Sequence, residues 1–397
     1  MAGGGGEGSW IRQLVIGGVL LGAAFAARIA GAPEWLHALL LAAGGLATVF
    51  GSCEAMILCV EGIGKRLGWN PFVAGTMAGL ASNVPEVVML GFVLAAAPRV
   101  GFIVVMMTLH VGAMAFGIYS VLLPRDDTGQ ARLPKALVEI STDLYATAAG
   151  VFFSTGLIMV LMKSLGAGDH GGEGLGAIDL YVIGALLLLV EVVAVRQLVS
   201  RFSSDEDGDG DTDAADAAIE AKSQAAKDGA PSTSKIAMFG VIGMVASVIG
   251  GHAVGDFADV LVEYLEGEGY SEMVGALILS VFAAAGALAM IVTAHRKGMV
   301  DVALAGASGQ INQVPFVVLP IALIQIAAFA QLGIIPVLDQ GVVLPTDLET
   351  ASVVLMSFPT MLILWKAVQD DGKVNWVETA SMVSVFGLIL YFLARHG

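Results

Sequence analysis

The stretch GLASNVPEVVML, residues 79–90, sets Ser82, Asn83 and Glu86 inside an oily run that extends from Pro71 to Pro98. A carboxylate buried in hydrocarbon is expensive unless a partner or a water-filled cavity compensates, so Glu86 needs a reason to be there. The run is one of eleven. Segments at about 10–30, 36–62, 71–97, 101–123, 137–163, 178–199, 236–262, 271–294, 300–330, 348–369 and 375–394 each reach the roughly 20 apolar residues of a bilayer crossing. The 397 residues are 57% hydrophobic and 14% charged, with a mean hydropathy of +0.83. An ordinary globular chain carries about a quarter charged residues. The fold class expected is therefore an all-α polytopic membrane protein of about eleven transmembrane helices.

Connectors as short as GAPEW (31–35) and PRV (98–100) fix the order of crossings. With the N-terminus inside, the cytoplasmic side collects 15 of the 19 Lys and Arg residues, from Arg12 and Lys65 to Lys366 and Lys373. Arg28, Arg99, Lys163 and Arg395 stay outside. Cytoplasmic loops are the ones that accumulate basic residues, so a cell-membrane, multi-pass chain with a cytoplasmic N-terminus and an external C-terminus is expected. The small residues of AAFAARIAGA (23–32) would also suit signal cleavage, but the run is long for a signal peptide and its flank is barely basic.

Net charge, −16, is concentrated in soluble parts. Residues 203–233 are acidic, rich in Gly, Ala and Ser, and lack apolar periodicity, which reads as a disordered cytoplasmic linker of the kind high-salt proteins favour. Asp205, Asp207, Asp209, Asp211, Asp213 and Asp216 fall at calcium-loop spacing, yet position 12 is Asp and no helix completes an EF-hand. The linker divides the chain into an extra N-terminal helix (1–33), a first five-helix repeat (34–200), the linker (201–234) and a second five-helix repeat (235–397). Two related halves with an odd number of crossings enter the membrane in opposite senses, which makes them inverted-topology repeats. GSCEAMILCV (51–60) and its sequel lie beside GGHAVGDFADV (250–260) and its sequel, each with acids late in one span and small residues in the next. Cys53 and Cys59 do not share a helix face, so no disulfide follows; both read as small core residues.

Polar groups at mid-span are the informative ones. Glu86, Ser82 and Asn83 in the third span and His110 in the fourth face the same depth as Ser308, Gln310, Asn312 and Gln313 in GASGQINQVP (306–315) of the ninth. Pro85, Pro315 and Pro320 remove backbone donors beside them, which would free carbonyls at two broken helices. Glu86, Ser82, Asn83, His110, Ser308, Gln310 and Asn312 are the expected cation-binding set, with Glu86 the principal metal-cation ligand; taken singly, His110 and the amides also suit interhelical hydrogen bonding. His252, Asp256 and Asp259 share one face of the seventh span, and with Glu54 of the second they form a candidate access path or a snorkelling surface stripe. Glu139, Asp143 and Glu191 receive no role. No phosphate loop, nucleophile–base pair or metal-ligand cluster lies in the soluble segments, so neither an enzyme nor a resident cofactor is expected.

These residues resemble the sodium/calcium exchanger family of the cation/calcium antiporter superfamily, whose two repeats carry a Gly-Thr-Ser-Leu-Pro-Glu motif and then a Gly-Asn-x-x-Gly-Ser-Asn motif. LASNVPEVV (80–88) is similar to the first, with Ser82, Pro85 and Glu86 on its Ser, Pro and Glu positions. HRKGMVDVALAGASGQINQVP (295–315) resembles the second repeat's basic connector, acidic residue and Gly-rich helix start. The resemblance covers spans 2 to 11 and implies a secondary antiporter that exchanges Ca2+ or Na+ against Na+ or H+ by alternating access at a midplane site. Inorganic cations and the lipid bilayer are the implied partners, with no nucleic acid. The second repeat departs from the pattern: Ala285 and Gly286 stand where it carries Pro-Glu. Calcium favours six to eight oxygens and several carboxylates, so one glutamate suits a monovalent ion, or a proton competing with a metal ion, better. The alternative is a passive cation channel or a transport-inactive scaffold of the same fold.

Overall fold

Apolar segments in lipid must satisfy every backbone group internally, and helices are what such segments form. The computed structural model describes residues 8–67, 69, 71–166, 173–202, 231–296, 300–369 and 372–396. Its helices in the first half are α1 Ser9–Ile29, α2 Glu34–Leu67, α3 Pro71–Ala96, α4 Pro98–Val121, α5 Lys135–Leu165 and α6 Ala177–Phe202. The second half holds α7 Thr233–Gly267, α8 Glu272–Arg296, α9 Val300–Gln313, a π-helical turn Val314–Val318, α10 Leu319–Gln331, α11 Leu348–Gln369 and α12 Trp376–His396. Each of the eleven expected crossings falls on one of these helices, the ninth on α9, the π turn and α10 together. Among the described residues ten helices are long and apolar enough to cross a membrane, and α8 adds a shorter apolar stretch, Glu272–Leu288. The acidic linker and its calcium-loop pattern lie at 203–230, outside the described residues.

Helix starts are set by local chemistry. Asp347 accepts the Thr350 backbone N–H at 2.9 Å while the Thr350 hydroxyl accepts the Asp347 N–H at 3.1 Å, a reciprocal cap that starts α11. Asn375 and Glu378 do the same for α12. Gly166, at φ +59°, ends α5 in the left-handed conformation that glycine adopts without strain.

Two short ribbons show how the halves are related. β1 Ala131–Arg132 pairs antiparallel with β4 Lys373–Val374, and β2 Gly174–Gly176 pairs antiparallel with β3 Val342–Pro345. β1 precedes α5 as β3 precedes α11, and β2 precedes α6 as β4 precedes α12. Exchanging the halves therefore exchanges the ribbons, one at each end of the bundle, as inverted topology demands.

The main apolar core runs through α3–α6 and α7–α12, and among the described residues α2 contributes nothing to it. α2 instead packs against α7 through small residues. Ser52 and Ser247 share a hydrogen bond of 2.7 Å, and the Ser52 hydroxyl donates to the Gly243 carbonyl at 2.5 Å. A Cβ on Gly250 would stand 3.0 Å from the Gly45 carbonyl and 3.0 Å from the Val49 nitrogen, so the two backbones meet there. α1 lies on this pair, through Ala24, Leu41 and Ala253, an edge-on contact of Trp10 with Phe239, and a hydrogen bond from Ser9 to the Glu54 carboxylate.

At one end of the bundle Arg99, at the start of α4, binds three carboxylates of the other half: Glu272 at the head of α8, Asp347 at 2.6 Å, and Glu349 in the first turn of α11. At the other end Arg125 stacks 3.8 Å over the Trp376 ring and donates to the Val374 carbonyl and the Thr379 hydroxyl. Each arginine ties α4 or its loop to the opposite half.

Two outcomes test this packing. Gly250→Val should cost about 1–3 kcal/mol of stability, read as a lowered thermal midpoint in detergent, because a branched side chain meets backbone. Gly18→Val, where no atom lies within 4 Å of the added carbon, is the neutral control. For Asp347, burial alone would raise the carboxyl, but the Thr350 N–H and the Arg99 guanidinium reverse that and hold it below the usual carboxylate range. A depressed carboxyl stabilises the fold above its unfolded value, about pH 4, and loses that contribution as pH falls further. Asp347→Asn should therefore flatten the fall in thermal midpoint between about pH 5 and pH 3.

Candidate cation-binding site

Pro85 does not break α3. The helix runs through it from Pro71 to Ala96, because one missing N–H leaves only the Ala81 carbonyl without its helical donor and the neighbouring turns persist. The ninth span does change geometry, at the π turn that contains Pro315, with Pro320 opening α10. Neither span is broken, contrary to expectation: α3 continues as α-helix, and the ninth stays helical through a local π widening.

Gly79, Asn83 and Glu86 follow at helical spacing along one face of α3. That face meets the end of α9, where the Asn83 amide donates to the Gln313 side-chain carbonyl at 2.7 Å, with Gly79 against the same Gln313 amide. Glu86 is 6% exposed, and its Oε1 has no hydrogen-bond partner. Buried carboxylate oxygens are rarely left so, since the lost solvation is not replaced.

α9 brings further unpaired groups to the boundary between the halves. Both amide atoms of Gln310 are buried without a partner where α9 crosses Gly112 of α4. Asn312 donates to the Ser141 hydroxyl at 2.9 Å and keeps a free Oδ1. Ser308 bonds Ser141 at 2.8 Å and the Tyr145 hydroxyl at 3.0 Å. The orphaned set is thus one carboxylate oxygen, two amide oxygens and one amide nitrogen, suited to a small hard cation or ordered water.

Not every expected residue joins it. The Ser82 hydroxyl is spent on the Gly79 carbonyl at 2.6 Å, so only its backbone faces another helix. His110 is fully buried, but its two nitrogens meet Thr360 at 3.0 Å and Ser357 at 3.4 Å on α11. It serves the α4–α11 contact as Ser308 and Asn312 serve the α9–α5 contact. The access-path residues fall in two separate places. Glu54 accepts from Ser9, whereas His252 sits 3.2 Å from Asp256, with both side chains about half exposed, against the ring of Phe92. Glu139 and Asp143 line a groove of about 140 Å³ between α5 and α6, away from Glu86. Among the described residues no group of three or more His, Cys, Asp or Glu side chains is placed to hold a metal ion.

Sequence reading passed over the partners of these residues: Gln313 for Asn83, Ser141 and Tyr145 on α5 for Ser308 and Asn312, Ser357 and Thr360 on α11 for His110, and Cys53 on α2 against the Ser82 carbonyl. The hydroxyls of α5 and α11 recur at i, i+4 and i, i+3, a polar stripe on otherwise oily helices that was available as a signal.

A nearly all-helical bundle of this length and hydropathy, with buried polar groups where two inverted halves meet, defines a polytopic membrane protein. Residues 235–395 match the family described as "Sodium/calcium exchanger protein". No curated protein sequence matches the chain. Among solved structures, the H+/Ca2+ exchanger CAX superposes with a TM-score of 0.62 at 13% identity, over 97% of this chain and 91% of that one. The Ca2+/H+ antiporter protein YfkE gives 0.58 at 15%, over 96% and 99%. The sodium-calcium exchanger NCX_Mj gives 0.53 at 13%, over 89% and 98%. At these identities the likeness is one of fold.

The amides can be tested together. Gln310→Leu with Asn312→Leu makes the chain more apolar, so insertion should persist, while removal of neutral oxygens should weaken cation affinity about tenfold in a binding titration of the purified protein.

Proposed function

We propose that the chain is a secondary active cation antiporter, exchanging a metal cation, Ca2+ or Na+, against Na+ or H+ at a midplane site centred on Glu86. The observation that carries this reading is the buried, unpartnered Oε1 of Glu86 on the face of α3 that meets the second half through Asn83 and Gln313. The family match of residues 235–395 and the shared fold of H+/Ca2+ and sodium-calcium exchangers support it. The cell membrane is the site of action, with the N-terminus and the basic loops cytoplasmic and the C-terminus outside.

Glu86 is the one fixed charge of the site. Deprotonated, it holds a cation with help from the Gln310 and Asn312 oxygens; protonated, it is neutral and can cross empty of metal. Binding of proton and metal ion to one carboxylate excludes simultaneous occupancy, and that exclusion is what couples two opposite fluxes. Asn83 and Gln313 hold the faces of α3 and α9 in register around it.

Glu86→Gln keeps the size of the side chain and fixes it as neutral, like a permanently protonated acid. Insertion should survive and coupled exchange in sealed vesicles should fall to background, whereas Glu86→Asp should retain partial activity with altered ion preference. Wild-type exchange with unchanged pH dependence in the Gln variant would make Glu86 a structural carboxylate, and flux that ignores an opposing gradient would make the chain a channel.

A further inference from the structure

Cys53 belongs to the wall of the Glu86 site. From α2 its sulfur reaches the Ser82 carbonyl of α3 at 3.5 Å, and it lies close enough to Glu86 to feel that charge. It also faces α8: a Cβ placed on Gly286 would stand 3.3 Å from the Cys53 Sγ. Three helices meet here, and the thiol of one occupies the place that a side chain on another would fill. The carboxylate beside it is more than nine-tenths buried and has an unpartnered oxygen. The other nearby acid, Glu54, points to the far side of α2, where Ser9 binds it.

Resting on the antiport reading above, we propose that this site carries one monovalent cation, sodium-like, in exchange for one proton, and that Cys53 and Gly286 together set that valence. Among the described residues the fixed charge facing the ion is −1, from Glu86; the remaining donors are the Gln310 and Asn312 amides and the Ser82 carbonyl. A divalent ion would leave a full positive charge uncompensated in a water-poor interior, where an unbalanced charge is strongly disfavoured. A monovalent ion, or a proton, brings the site to neutrality. The wall that Cys53 and Gly286 form beside Glu86 carries no charge: Gly286 has no side chain, and the Cys53 thiol fills the room an acid there would need. A thiol is also a poor ligand for hard cations, so it closes the shell without adding attraction for calcium.

The experiment uses the full chain in sealed vesicles, with radioactive sodium and calcium uptake measured separately under an imposed pH gradient. The wild-type chain should take up sodium when the trapped lumen is acidic and should hold calcium uptake at background. The paired change Cys53→Gly with Gly286→Asp, which makes room for a second carboxylate and adds it, should raise calcium uptake about tenfold over wild type. Should that pair fail to fold, Cys53→Ser is the second test. Its hydroxyl is smaller and harder, so the ratio of sodium to lithium transport should shift about threefold. A merely structural cysteine would lower the maximal rate and leave that ratio unmoved, which overturns the proposal, as does calcium uptake by the wild-type chain comparable with its sodium uptake. Absence of exchange of any cation by the wild-type chain would instead overturn the antiport reading as well.

Discussion

Hydrocarbon offers no hydrogen bonds, and that single fact orders the whole molecule. It makes every crossing a helix, it forces Ser52 onto Ser247 and Asn83 onto Gln313, and it makes any polar atom left over conspicuous. In a soluble protein an unpartnered glutamine is usually met by water. Here Gln310 sits where α9 crosses a glycine of α4, with neither amide atom engaged. Glu86, Gln310 and Asn312 each keep such leftover atoms on helices that meet the other half. Such groups persist when something outside the chain completes them.

The fold was largely legible because apolar length is a strong signal. Eleven runs of sufficient length, separated by short connectors, leave little freedom, and each coincides with a helix. Local breaks were read less well. Proline is as common at a mere bend as at a rupture, so Pro85 and Pro315 look alike in sequence, yet α3 continues through one and a π turn surrounds the other. The site was half legible. Glu86, Gln310 and Asn312 stood out by chemistry alone, but which polar residues answer one another depends on helix rotation and partner choice, and a single sequence does not encode these at short range. His110 looked like a ligand and proved to be held by Thr360 and Ser357; Cys53 looked like filler and stands at the wall.

Glycine and serine on α2 and α7 give a contact of unusual closeness with little side-chain interlock. Bulky core residues are confined to the other helices, so α2 rests on the body through a smooth seam. The arginine ties at either end, by contrast, fasten α4 and its loop to the opposite half. One part of the molecule is thus laced together by charges and ribbons, and another is joined where glycines and serines let two backbones approach.

α1 is attached on this smooth side. Ser9, Trp10 and the small residues of its inner face bind it to α2 and α7, while Val15, Val19, Phe25 and Ile29 point away, each at least half exposed. Any displacement of α2 along its seam must therefore drag a whole further helix through the surrounding acyl chains. The thickness and fluidity of the membrane then enter the energy of that motion directly, as ballast and friction do in a moving part.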